Sequence, residues 1–121
     1  MDLIDTTKKA IGLGLQFKGE CNWFEIENFL FEKFGVWICL TRNAIEGGGW
    51  FSQPAILGDR DRRALFMDKM GWEEIDRNGV WTKKEGYSAY SESPVMAKTQ
   101  ALEMAIEILY EDRLIHISQN N

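Results

Sequence analysis

Ser93–Arg113 reads SPVMAKTQALEMAIEILYEDR. Ser93 followed by Pro94 is a helix start: the serine hydroxyl accepts an orphan amide, and proline stands where its missing N–H does no harm. Beyond it, Val95, Lys98, Leu102, Ala105, Ile106, Leu109 and Arg113 mark one stripe. Ala101 and Ile108 lie beside that stripe, and Glu103, Glu107 and Glu111 lie off it. The spacing predicts a helix over 94–113, the longest in the chain. Its apolar stripe has to be covered by a sheet face or by other helices, so the elements upstream decide how the chain folds. Leu114–Ile117 leave open a continued helix or an extended tail, and residues 119–121 read as frayed.

Working back from this helix, two strand-like runs flank Asn78-Gly79: Trp72–Asp76 and Val80–Lys84. Asn-Gly accepts positive φ at both positions, as a type I′ hairpin turn demands. Trp72 and Trp81 are then expected as cross-strand neighbours on one face, and Gly86–Ser91 adds a further strand. Asp59 is a plausible N-cap for a short helix over 60–70, closed by Gly71. Val36–Thr41 is β-branched, aromatic and nearly all apolar. It reads as a strand buried on both faces, and so a central one. Trp50–Ser52 reads as a second strand ended by Pro54. Asn22 with Glu25 resembles a capping box. Trp23, Ile26, Phe29, Leu30 and Phe34 follow at helical steps, and Gly35 is a left-handed stop, which predicts a helix over 23–34. Leu3, Ile4, Thr7, Ala10 and Ile11 predict a first helix over 2–13, frayed by Gly12 and Gly14.

The order of elements, with mostly short turns between strands, predicts a single α+β domain over 1–121. Its expected form is a mostly antiparallel sheet of four to five strands with three to four helices, layered. A length of 121 residues fits one domain, and 45% apolar with 12% aromatic residues excludes a disordered tail.

Charge and cysteine content narrow the chemistry. Fourteen basic against nineteen acidic residues give a net charge of −5, which disfavours a nucleic-acid partner. Cys21 and Cys39 are too few for a disulfide scaffold and are expected as free thiols in a reducing compartment, with a single bridge as the alternative. There is no CxxC, and His116 alone cannot complete a zinc set, so neither a metal nor a cofactor is expected. The acidic start does not read as a signal peptide. No run approaches the ~20 apolar residues of a membrane helix. The expected address is cytoplasmic, with no membrane association.

Five constellations carry the functional expectations. Glu46-Gly47-Gly48-Gly49 lacks the lysine and hydroxyl of a phosphate loop and reads as a flexible connection. Arg60, Arg62 and Arg63, with Lys69, form the one concentrated positive region. They are candidate anion- or nucleic-acid-binding residues, with Trp50 and Phe51 as stacking surfaces, although Asp59 and Asp61 offset them. The carboxylates Glu73, Glu74, Glu103, Glu107 and Glu111 read as solvated, or as an acidic array imitating phosphates in a partner's basic groove. No GxSxG surrounds any serine, His116 is the one candidate base, and Cys39 sits in an apolar strand where thiols are inert. Of the five tryptophans, Trp50 lies beside the glycine loop. Trp50 and Phe51 are the candidate partner-binding anchor, and exposed together they would also support self-association.

Trp72-Glu73-Glu74-Ile75, the Asn78-Gly79 turn, Trp81, Tyr87 and the helix punctuated by Ala97, Ala101 and Ala105 and ending Ile106-Glu107-Ile108-Leu109 resemble small phage and prophage proteins of the ABA-sandwich type. The resemblance covers about 72–110. It implies a phage or prophage setting and an α/β-layered fold, and it carries over no catalytic or binding residue. The combined expectation is a small non-enzymatic protein-binding protein of phage or mobile-element origin, acting on a host or phage protein. The alternative is an anion or nucleic-acid contact module using the Arg60–Arg63 helix, and a small hydrolase ranks third.

Overall fold

The structure is a computed structural model that describes residues 3–16, 21–42, 49–74, 81–83 and 89–119. Its elements are α1 (Leu3–Gly12), α2 (Trp23–Phe34), β1 (Val36–Arg42), β2 (Trp50–Ile56), α3 (Arg60–Lys69), β3 (Trp72–Glu74), β4 (Trp81–Lys83), β5 (Ala89–Ser91) and α4 (Pro94–Gln119). The class is α+β, but the expected single sheet of four to five strands is wrong. The strands form a three-stranded antiparallel sheet of order β1-β2-β5 and a separate two-stranded ribbon, β3-β4. Helices of 10, 12, 10 and 26 residues outweigh strands of 7, 7, 3, 3 and 3, so the described chain is mostly helical. The physical reason lies in partner choice. β5 leaves the ribbon and pairs with Trp50–Ser52 of β2 instead, a non-local pairing that no local pattern encodes.

β1 is therefore an edge strand, not a central one. Val36 is buried, whereas Trp37, Leu40, Thr41 and Arg42 are exposed. β2 also runs past its expected end, through Pro54 to Ile56. One hydrogen bond explains why proline is tolerated there. Leu57 N–H donates to the Gly35 carbonyl at 2.9 Å, directly beyond the Val36–Ile56 rung. Antiparallel ladders alternate between bonded and non-bonded pairs. Pro54, opposite Ile38, therefore sits at a non-bonded position whose backbone faces away from β1. On that side β5 reaches only to Ser52, so the missing N–H costs no described rung.

The helix ends follow the sequence closely. Asn22 caps α2 by accepting the Glu25 N–H at 2.9 Å, and Gly35, at φ 67°, closes it with its N–H on the Leu30 and Phe31 carbonyls. Asp59 caps α3 through the Arg62 N–H at 3.0 Å. Ser93 accepts the Met96 N–H at 3.3 Å at the start of α4. α4 does not stop at 113 but runs on to Gln119, its last described turns carrying exposed Leu114, Ile115 and Ile117.

α4 packs against all three strands of the main sheet and against α1, α2 and α3. One core unites Ile26 and Leu30 of α2, Val36 of β1, Phe66 of α3, and Leu102, Ala105, Ile106 and Leu109 of α4. α1 is rotated from the expected face. Leu3 and Ala10 turn inward as expected, but Thr6 is buried while Ile4 is 71% exposed, because α1 lies closely along α4. Lys9 reaches Glu107 at 3.5 Å, an added Cβ at Gly12 would stand 3.1 Å from the Tyr110 ring, and Arg113 donates to the Gly12 carbonyl. Small residues permit that approach. Lys33 ties the following turn to α2 through the Leu13 carbonyl at 2.6 Å.

The Asn78-Gly79 turn, residues 46–48 of the glycine loop and the 86–88 start of the expected last strand lie outside the described residues. Within the ribbon, Trp72 stands opposite Lys83 and Glu74 opposite Trp81, so the two tryptophans are offset by one pleat and not directly paired. Among the described residues no helix is long and apolar enough to cross a membrane.

Candidate functional site

The joint between α2 and β1 builds an exposed aromatic surface. Gly35 reverses the chain so that the last turns of α2 lie beside the first residues of the strand. Phe31 and Trp37 then meet edge to face, with ring centroids 5.6 Å apart at 69°, a favoured aromatic geometry. Trp37 remains 52% exposed and Phe31 45%. Phe24, two turns earlier on the same line of α2, is exposed as well.

The strand register extends this surface. Trp37 pairs with Ala55, Cys39 with Gln53, and Thr41 with Phe51. Side chains alternate along strands, so these six residues share one face. Val36, Ser52 and Pro54 occupy the other face and are buried. Trp37 and Phe51 stand four strand residues apart, about 13 Å at ordinary strand rise. Phe51 is 37% exposed. Its neighbour Trp50, on the opposite face, is half-buried with the Arg42 guanidinium 6.0 Å from its ring centre, at the outer limit of a cation–π contact. The structure thus divides the expected Trp50–Phe51 anchor between two faces and joins Phe51 to Trp37.

The arginines of α3 also separate. Arg62 donates to the Phe34 carbonyl at 3.0 Å, stacks over the Phe34 ring at 5.0 Å and lies 3.5 Å from Asp59. It holds the end of α2, where a cation is favoured by the helix dipole. Arg60 and Arg63 are exposed, with exposed Asp61 between them in sequence. Arg63 joins Phe66, Met67 and Met70 in lining a groove of about 360 Å³ against Gln53–Ile56 of β2. A second recess of about 280 Å³ gathers Asp59, Asp61, Arg62, Leu65, Asp112 and His116. Three carboxylates line it, which offsets the positive charge that α3 would offer an anion.

The nucleophile candidates do not converge. His116 Nδ1 lies 2.9 Å from the carbonyl of Asp112 and 3.5 Å from its carboxylate. Cys21 and Cys39 are free thiols, and neither lines the recess that holds His116. The Ser52 hydroxyl is buried with no hydrogen-bond partner among the described residues. Among the described residues no group of three or more His, Cys, Asp or Glu is placed to hold a metal ion.

Phe31 and Trp37 were not singled out by sequence reasoning. The apolar run Val36–Leu40 hides its own alternation, so Trp37 reads as interior. Phe31 did leave a signal: with Phe24 it lies off the buried stripe Ile26–Leu30, a position where an apolar side chain has no core to enter. No family model, curated protein or solved structure matches this chain.

Proposed function

We propose that this chain is a small non-enzymatic protein-binding protein of phage or mobile-element origin, and that it docks a host or phage protein on the Phe31–Trp37 surface. The observation that carries the reading is the half-exposed Trp37 indole braced edge to face by Phe31. A large aromatic held in one position loses little freedom on binding, and tryptophan is the residue most enriched among binding hot spots. Covering the exposed half of the indole contributes roughly 2 kcal/mol, from ~25 cal/mol per Å² of apolar area. Phe51 on the same sheet face widens the surface. The mobile-element setting is supported by the resemblance of residues 72–110 alone.

The test is retention of proteins from host lysate on the immobilised chain, compared with Trp37→Glu and Phe31→Ala. A protein held by the native chain and lost with both variants supports the proposal, provided the variants keep the native far-UV spectrum. Retention unchanged in both variants overturns it.

A further inference from the structure

β1 has one edge that no described strand pairs with. The bond from Leu57 N–H to the Gly35 carbonyl determines which backbone groups face that edge. It makes Gly35–Leu57 a hydrogen-bonded pair, so by alternation Trp37, Cys39 and Thr41 bond to β2. Val36, Ile38, Leu40 and Arg42 then turn their N–H and C=O groups outward. Leu40 and Arg42 are exposed and Ile38 is half-buried. The register is continuous from Val36 to Arg42, and the strand holds no proline. Among the described residues, none of the usual devices that blunt an edge lies along its middle.

We infer that this edge is a homodimer interface, in which β1 pairs antiparallel with β1 of a second copy about a two-fold axis at Cys39. Two observations favour a second copy over an unrelated strand. First, the outward-facing residues are disposed symmetrically about Cys39, the middle residue of the seven. Ile38 meets Leu40 of the second copy, so outward groups face outward groups on the rungs flanking the axis, while Val36, the residue opposite the second copy's Arg42, is itself buried. Second, the two ends of the edge differ in charge. Exposed Glu32 lies on the last turn of α2, next to the Val36 end, and exposed Arg42 lies at the other. Antiparallel pairing brings Arg42 of each copy to the Glu32 end of the other. The result is a continuous six-stranded sheet with both copies of Trp37 on one face. The inference rests on the backbone of β1 and stands or falls independently of the docking role of Trp37.

The two-fold axis places the Cys39 residues opposite each other as a non-hydrogen-bonded pair. The Cα atoms of such a pair are ~4.5 Å apart, within disulfide range. The experiment measures mass by light scattering across a concentration series, together with oxidation by diamide, which takes up the two thiol hydrogens as the disulfide forms. The native chain is expected to become dimeric as concentration rises. Cys21→Ser should give a disulfide dimer with diamide, and Cys39→Ser should give none. Leu40→Pro removes an outward N–H that β2 does not use, and should weaken dimerisation at least tenfold. Leu40→Lys places a charge on the same exposed position and should do likewise if the proline variant does not fold. A chain that stays monomeric at millimolar concentration overturns the inference. So does a dimer that both folded Leu40 variants leave intact, or one that diamide links through Cys21 and not Cys39.

Discussion

Gly35→Ala tests the joint on which both the fold and the aromatic surface depend. Gly35 holds φ 67° and ψ 28°, a left-handed conformation that costs an L-residue roughly 1–2 kcal/mol. An added Cβ would lie 2.7 Å from the Leu57 carbonyl oxygen. The obstruction is backbone, and it belongs to the residue whose N–H bonds to Gly35. Relieving it stretches that rung, worth about 1 kcal/mol. Together the two effects destabilise by roughly 2–3 kcal/mol, about 10 °C in melting temperature for a chain of this size. Gly58→Ala is the control. It also has positive φ, 83°, but nothing lies within 4 Å of the added atom, so only the conformational cost applies. The assay is urea unfolding of all three chains, followed by tryptophan fluorescence and far-UV circular dichroism. Equal losses for the two variants would refute the close approach at Leu57. A Gly35→Ala chain as stable as the native one would refute the left-handed cap altogether.

Arg62→Ala should lose about 1–2 kcal/mol with the hydrogen bond to the Phe34 carbonyl, whereas Arg60→Ala should stay within about 0.5 kcal/mol. Equal losses in urea unfolding would remove the structural role assigned to Arg62. Phe66, 1% exposed in the core, should cost about 3–5 kcal/mol on conversion to alanine, read from the same midpoints. Lys9 is held above its ordinary 10.5 by its hydrogen bond to Asp5, with the charge of Glu107 adding to the effect and partial burial opposing it. Its stabilisation is therefore complete below pH 10.5 and disappears as pH climbs through the elevated folded value. The difference in urea midpoint between the native chain and Lys9→Met should shrink above that pH, and a constant difference would contradict the pairing.

Local chemistry wrote most helix boundaries into the sequence, the end of α4 excepted, because caps and stripes act within four residues. Asn22, Gly35, Asp59 and Ser93 each stand where the structure uses them. The sheet was far less legible. An all-apolar strand such as Val36–Thr41 looks the same at the centre or the margin, and only distant pairing decides which it is. Pro54 reads as a stop unless the parity of the ladder is known, and parity is set by a bond between Gly35 and Leu57. The inward face of α1 is legible at Leu3 and Ala10 but not at Ile4, because hydrophobicity alone ranks Ile4 above Thr6, whereas close contact with α4 selects for size. The surface around Trp37 was hidden for the same reason as the sheet order, and the Arg60–Arg63 cluster looked unified because sequence does not show Arg62 turning back to Phe34.

The main sheet is lopsided. Among the described residues, one flank is the seven-residue β1, and the other is the three residues of β5, next to a stretch of β2 where Pro54 lacks a donor. Growth into a filament needs two sticky margins, so that each newcomer leaves one behind. If β1 joins β1 of a second copy, the longer margin is consumed in that one contact, and the short flank is what the described sheet leaves for further growth.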